Sequence, residues 1–488
     1  MKMETLTRMD PASCTRLGAG ELAAAIARGA LSATEAVEAH IARIEQVNGA
    51  LNAVVVRRYA EARAEAQAAD ARQARGEPLG PLHGVPVTIK ECLDLAGTPS
   101  TFGLPSRARI QATADDVYVA RLRAAGAIVL GKTNVAQLLF YYESDNPVYG
   151  RTNNPWNPAR TPGGSSGGEA AIIAAGGSPL GLGTDIGGSS RVPAAFCGIA
   201  GFKPTAGRTP DAGRYSVPFG QRAIVSQVGV LARQVGDLAL GLRVISGADD
   251  PAADPAPPLG DPATGDLTRL RVACYTDDGT FPPSPAVVRA VDEAAALLEA
   301  AGARVTRWTP PAVDQAVALF LGLLFADGMA GQAALVGHDR RDPRIASLLG
   351  IARRSRPTLA LLAALLPRVG QPSLAGALPH FGYRTTAHYW ALVEAQLAYQ
   401  ARFRAALDDP ATGGPFDLVL SPACALPALP HGASDALRNA GGYSVLANVL
   451  GYPAGVVPIT RVRPAETGAR PATGDRVLAA ARATDADS

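Results

Sequence analysis

The 488-residue chain is 47% hydrophobic and 18% charged, with a formal net charge of +3. This is the balance of a globular protein with a large core, without the basic face that nucleic acid demands. Cys14, Cys92, Cys197, Cys274 and Cys424 form no CxxC pair and the six histidines are scattered, so free thiols in a reducing compartment are expected rather than disulfides or a metal site.

Residues 1–17 carry charges and no apolar run, which argues against a signal peptide. No stretch approaches the roughly 18 apolar residues of a membrane-spanning helix. A cytoplasmic location is therefore expected. Residues 21–75 read as helices, opened in part by a capping box at Ser32 and Glu35 and continued by Val37, Ile41 and Ile44 at helical spacing. Residues 84–89 are rich in β-branched types and read as a short strand, 115–125 as a helix and 127–130 as a buried strand. Pro, Asn, Gly and Ser dominate 142–168, which reads as a long loop, followed by a helix over 169–175 and a second Gly-rich loop over 181–190. Residues 252–266 read as an exposed connection, and strand and helix alternate again from 270. The alternation predicts an α/β sheet protein, and no internal repeat is present.

Three motifs compete for the chemistry. Residues 126–133 fit GxxxxGK[ST], but the middle residues Ala127, Ile128, Val129 and Leu130 favour a strand over a phosphate-cradling turn. Residues 163–167 fit the GxSxG of a hydrolase elbow, which needs a strand before it. Pro158 and Pro162 forbid a central strand there, and His338, His380, His388 and His431 stand in no telling context. The third reading joins Ser165 and Ser189, in two Gly-rich loops separated by one short helix, to Lys90 at the end of an apolar strand. A serine hydroxyl needs a base, and a lysine buried away from water has a lowered pKa and can be that base. The glycines let the backbone N–H groups of Ile186, Gly187, Gly188 and Ser189 converge on one oxyanion.

The stretch 163–204 resembles the amidase signature family: GGSSGG at 163–168, GTDIGGS at 183–189, Arg191, Pro193, FCG at 196–198 and GFKP at 201–204. PLHGVP at 81–86 leading to Lys90, and GKTN at 131–134, are similar to the family's upstream elements. The details around Lys90-Glu91-Cys92, at 275–277, at 282–285 and at 452–458 resemble fatty-acid-amide-hydrolase-like bacterial members. The resemblance implies one amidase domain over 1–488, with a central twisted mixed sheet covered by helices on both faces. N-terminal helices would occupy 20–80, the catalytic core 81–250, and the rest of the sheet with substrate-binding helices 267–460.

It further implies Ser189 as nucleophile, Ser165 as bridging serine after a cis peptide bond at Gly164, and Lys90 as base. Ser165 would also face the substrate, and Ser166, Thr184, Asp185 and Arg191 would support the site. Ser190 stands where the family commonly has an aliphatic residue. The reaction expected is hydrolysis of carboxylic acid amides, of the fatty-acid or aryl class, to acid plus ammonia or amine, with no metal or organic cofactor. The alternatives are a glutamine amidotransferase subunit and a shortened, catalytically impaired homologue acting as a binding protein. A small-molecule amide is the expected partner, and a homodimer is compatible with the family. Residues 347–378 lie where the resembling enzymes carry an apolar membrane-facing cap, here beside Arg353, Arg354, Arg356 and Arg368. The family's later Gly-Leu-Pro-x-Gly-x-Gln segment does not follow GYPAGVVP in this sequence, and 463–488 is expected to be a disordered tail.

Overall fold

The computed structural model describes residues 9–210, 220–247, 257–468 and 471–486. Strands β1 (Val54–Arg57), β2 (Pro86–Lys90), β3 (Ile128–Thr133), β4 (Leu180–Asp185), β5 (Ala200–Lys203), β6 (Gln227–Ala232) and β10 (Ala454–Val456) form a seven-stranded sheet. Its order is β1-β3-β2-β4-β6-β5-β10. The β3–β2–β4 centre is parallel and every other pair is antiparallel, so the sheet is mixed.

The strand residues alternate between two apolar layers, as the two-residue period of a strand requires. Val87, Ile89, Val129, Leu182, Val228 and Val230 join Leu22, Ile26, Leu122 and Leu238 on one face. Ile128, Leu130 and Leu231 join Val37, Ile41, Ile44, Ala66, Ile172 and Ile173 on the other. Burying each large aliphatic side chain here stabilises by roughly 1.5–3 kcal/mol. Helix Ala33–Leu51 starts on the expected capping box: Ser32 Oγ accepts from Glu35 N at 3.0 Å, and Glu35 accepts from Ser32 N at 2.8 Å.

Four expectations need correction. Residues 21–75 are not all helical, because the run Val54-Val55-Val56 between two helices forms edge strand β1. Residues 181–185 are not loop but the buried strand β4. Glycine is used there for close approach. A Cβ at Gly181 would overlap the Glu169 carboxyl, and one at Gly183 would lie 2.8 Å from the hydroxyls of both Ser166 and Ser190. The later residues do not simply extend the main sheet. Strands β7 (Arg271–Cys274), β8 (Arg304–Arg307) and β9 (Leu418–Leu420) make a separate parallel sheet, ordered β8-β7-β9, and only β10 returns to the first. Finally, the described part of 463–488 is folded: helix Arg476–Ala486 begins beside Asp475, which accepts from Val477 N at 2.7 Å and from Ser373 N at 2.9 Å. The charged residue that looked like solvated tail is thus a cap and a tether.

Over the C-terminal edges of β2 and β4 sits a third apolar cluster. It draws on helices Val313–Leu324, Pro343–Ala352, Thr386–Asp408 and Gly442–Leu450. Within 347–378, Leu348, Leu349 and Leu359 are buried while Leu361, Leu365 and Val369 are exposed. Among the described residues no helix is long and apolar enough to cross a membrane.

Candidate active site

Alternation along β2 sends Thr88 and Lys90 to the face opposite Val87 and Ile89, toward helix Gly167–Ala174. The Ser-Gly loop that precedes this helix passes over the end of the strand. Lys90 Nζ therefore meets Ser165 Oγ at 2.7 Å and Thr184 Oγ1 of β4 at 2.7 Å. Lys90 and Ser165 have no solvent exposure, and burial pushes the Lys90 amine down to about 8. Among the described residues no carboxylate forms an ion pair with it. The Gly164–Ser165 peptide bond is cis, as the resemblance implied.

Beneath Lys90, Glu169 is fully buried and accepts from the hydroxyls of Thr88 on β2 and Thr133 on β3, the latter at 2.6 Å. Burial lifts its carboxyl to about 7, against the pull of the two hydroxyls and of Lys90. The string 126–133 is confirmed as strand β3 and not a phosphate loop; Lys132 is buried and donates to Ser100 Oγ at 2.8 Å.

Ser189 lies on the turn between β4 and helix Arg191–Cys197. Its carbonyl accepts from Ser166 N at 3.1 Å, which ties the two serine loops together. It is buried but 8% exposed, against none for Ser165. The turn is shaped by Asp185. One carboxyl oxygen accepts from Gly188 N at 2.8 Å and the other from Ser190 N at 3.2 Å. Arg191 grips both oxygens at 2.9 Å, and Asn448 Nδ2 adds a fifth donor at 3.1 Å. Burial alone would raise this carboxyl, but the Arg191 guanidinium overrides it and holds Asp185 well below the usual carboxylate range.

Of the four backbone donors expected for an oxyanion, Gly188 is thus already committed to Asp185. Among the described residues no protein group accepts from the N–H of Ile186, Gly187 or Ser189. Gly188 holds φ at +106°, and a Cβ on Gly187 would press on Phe320 at 2.8 Å. Ser166 exchanges long contacts of 3.4 Å with the Thr184 backbone, consistent with its supporting place.

Three positioning residues carry no local signal in the sequence. Tyr142 donates to Gly187 O at 2.9 Å, and Ser144 bridges Gly167 N at 2.8 Å and Gly163 O at 3.2 Å. Asn448, 257 positions from Arg191, accepts from its guanidinium at 2.7 Å. The histidines of the elbow reading do not approach Ser165. His431, for instance, contacts Pro158 O at 3.1 Å, and His388 faces Arg356 at 3.5 Å.

A mixed sheet with a buried Lys–Ser pair and a glycine-built turn at its strand ends has counterparts among known proteins. The Amidase family model matches residues 35–473, and the chain belongs to that family. It is 41% identical over 399 residues to fatty-acid amide hydrolase 1 of Sus scrofa, covering 80% of this chain and 67% of that protein. It is 44% identical over 298 residues to indoleacetamide hydrolase of Bradyrhizobium diazoefficiens, covering 60% and 56%. A solved fatty acid amide hydrolase superposes with a TM-score of 0.76 at 27% identity, over 91% of this chain and 74% of that one.

Proposed function

We propose that the chain hydrolyses carboxylic acid amides through a Lys90–Ser165–Ser189 relay and an acyl-enzyme. The observation that carries this is the fully buried Lys90 amine, 2.7 Å from Ser165 Oγ and, among the described residues, without an ion pair. A lysine with that partner and a pKa near 8 is partly neutral at physiological pH and can accept a proton.

In the proposed cycle Ser189 Oγ attacks the amide carbon as its proton passes to Ser165 and the Ser165 proton passes to Lys90. The carbonyl oxygen becomes an oxyanion facing the uncommitted N–H groups of Ile186, Gly187 and Ser189. The C–N bond breaks as the proton returns through Ser165 to the leaving nitrogen, releasing ammonia or an amine. Water then attacks the ester on Ser189 by the same relay, giving the acid and restoring Ser189.

The substrate class follows from what borders the turn. Phe320 lies where a Cβ on Gly187 would meet its ring, and Ile186 packs on the large apolar cluster, so an apolar acyl group is favoured over a charged one. The names of the pig and Bradyrhizobium relatives, a fatty-acid amide and an aryl-acetamide hydrolase, agree with an apolar acyl group. The test is amine release from a series of fatty and aryl amides by the wild type, Ser189→Ala and Lys90→Ala, with fluorophosphonate labelling alongside. Loss of turnover and labelling in Ser189→Ala is expected. Unchanged turnover in that variant sinks the mechanism.

A further inference from the structure

Arg384 is 8% exposed, yet among the described residues its Nε and Nη1 have no hydrogen-bond partner. Only Nη2 is used, donating to Pro379 O at 3.0 Å. Its backbone is fixed by Arg384 N donating to Ala326 O at 2.8 Å, so the side chain is not a surface group that has folded back. A guanidinium held inside without a carboxylate is costly unless something anionic completes it.

The surroundings repeat the same sign. Arg356 Nη1 stands 3.5 Å from His388 Nδ1, and no ion pair engages either Arg356 or Arg384 among the described residues. Burial first, and then the neighbouring arginines, pushes His388 below its ordinary value. His380 is lowered by burial and then by Arg384, and Arg384 itself by burial and then by Arg356. Burial is the first cause of each of these shifts, and the neighbouring arginines add to it.

Two helices start beside these side chains. Helix Arg356–Leu365 starts at the Ser355 cap, and the 23-residue helix Thr386–Asp408 starts at the Thr385 cap, one residue after Arg384. The segment leading into the second helix packs against the start of the first: a Cβ at Gly382 would lie 3.1 Å from Arg354 O and 3.1 Å from Leu359 Cδ1. Helix N-termini carry partial positive charge and favour anions, and a guanidinium fork suits an oxyanion with two oxygens.

The geometry points to an oxyanion-binding site, for a phosphate group, built by Arg384 and Arg356 with His388 beside the starts of helices Arg356–Leu365 and Thr386–Asp408. None of its residues belongs to the Lys90–Ser165–Asp185 constellation. The phosphate could be presented as a free ion or as a lipid headgroup, and the two sources are separable.

The experiment measures melting temperature of the full chain against inorganic phosphate at constant ionic strength, for the wild type, Arg384→Gln and Arg356→Gln. Cosedimentation with phosphatidylcholine vesicles, with and without phosphatidic acid, runs in parallel. Because ligand binding to the native state raises its melting point, the wild type is expected to shift upward with phosphate. Each variant should bind about tenfold more weakly, the loss of a charge-assisted contact. Vesicle binding that depends on phosphatidic acid and is lost in the variants assigns the site to a headgroup; a phosphate shift without it assigns a free ion. Arg356 is exposed, so Arg356→Gln keeps the test open if Arg384→Gln does not fold. An equal phosphate response in all three proteins, or no response in either arm, overturns the proposal. Neither arm involves turnover, so the result is independent of the amide-hydrolysis reading.

Discussion

Replacing Asp185 by Asn tests how the turn bearing Ser189 is held. Asn keeps the shape and one acceptor oxygen but cannot serve Gly188 N, Ser190 N, both Arg191 nitrogens and Asn448 Nδ2 together. It also leaves Arg191, 4% exposed, with no countercharge. Breaking a buried pair on one side costs about 3–5 kcal/mol, and the retained oxygen places this change near the lower end, about 3 kcal/mol. Releasing Gly188 N also lets the neighbouring N–H groups drift from the oxyanion, for which about 10²-fold in the acylation rate is expected.

Urea denaturation near neutral pH and burst-phase acylation measure the two effects separately. The folded-state pKa of Asp185 is depressed, so its contribution is present above the unfolded value of about 3.9 and fades as pH falls toward the folded one. The stability difference between wild type and Asp185→Asn should therefore shrink on acidification below about pH 4. A variant within about 1 kcal/mol of wild type at neutral pH, acylating at the wild-type rate, refutes this account of the turn.

Two further outcomes follow from the same geometry. Lys90 must be neutral to accept a proton, and its pKa lies at about 8, so kcat/KM should rise with pH through that value and level off above it; a flat profile between pH 6 and 9 contradicts a lysine base. Ser190 Oγ is buried without a partner and makes no cap bond to the helix it precedes, so Ser190→Ala should raise stability by up to about 1 kcal/mol with acylation unchanged, as read by thermal unfolding and burst kinetics.

The legibility of this protein in its sequence was uneven for physical reasons. The nearness of Lys90 and Ser165 was readable because strand ends and Gly-Ser loops are written in consecutive residues. β2 was readable from its β-branched residues. β4 was read as a loop because Gly181 and Gly183 carry no β propensity; their use, making room for Glu169 and Ser166, depends on a helix packed across them. β1 was lost between two long helices because three valines are too short a signal. The commitment of Gly188 N to Asp185 could not be seen, since the same GTDIGGS string would permit either use of that donor. Asn448 and Tyr142 reach the turn from distant segments, and no local pattern marks such contacts.

That last contact has a temporal side. Lys90, Ser165 and Ser189 all lie in the first 190 residues, but the Asp185–Arg191 clamp takes a partner 263 positions downstream of Asp185. During synthesis these residues emerge long before helix Gly442–Leu450 does. Long-range closures of this kind come late because their loop entropy must be met first. The turn around Ser189 is thus finished by a helix made long after it, and the appearance of acylation in a growing or refolding chain would time the docking of that helix rather than the assembly of the sheet.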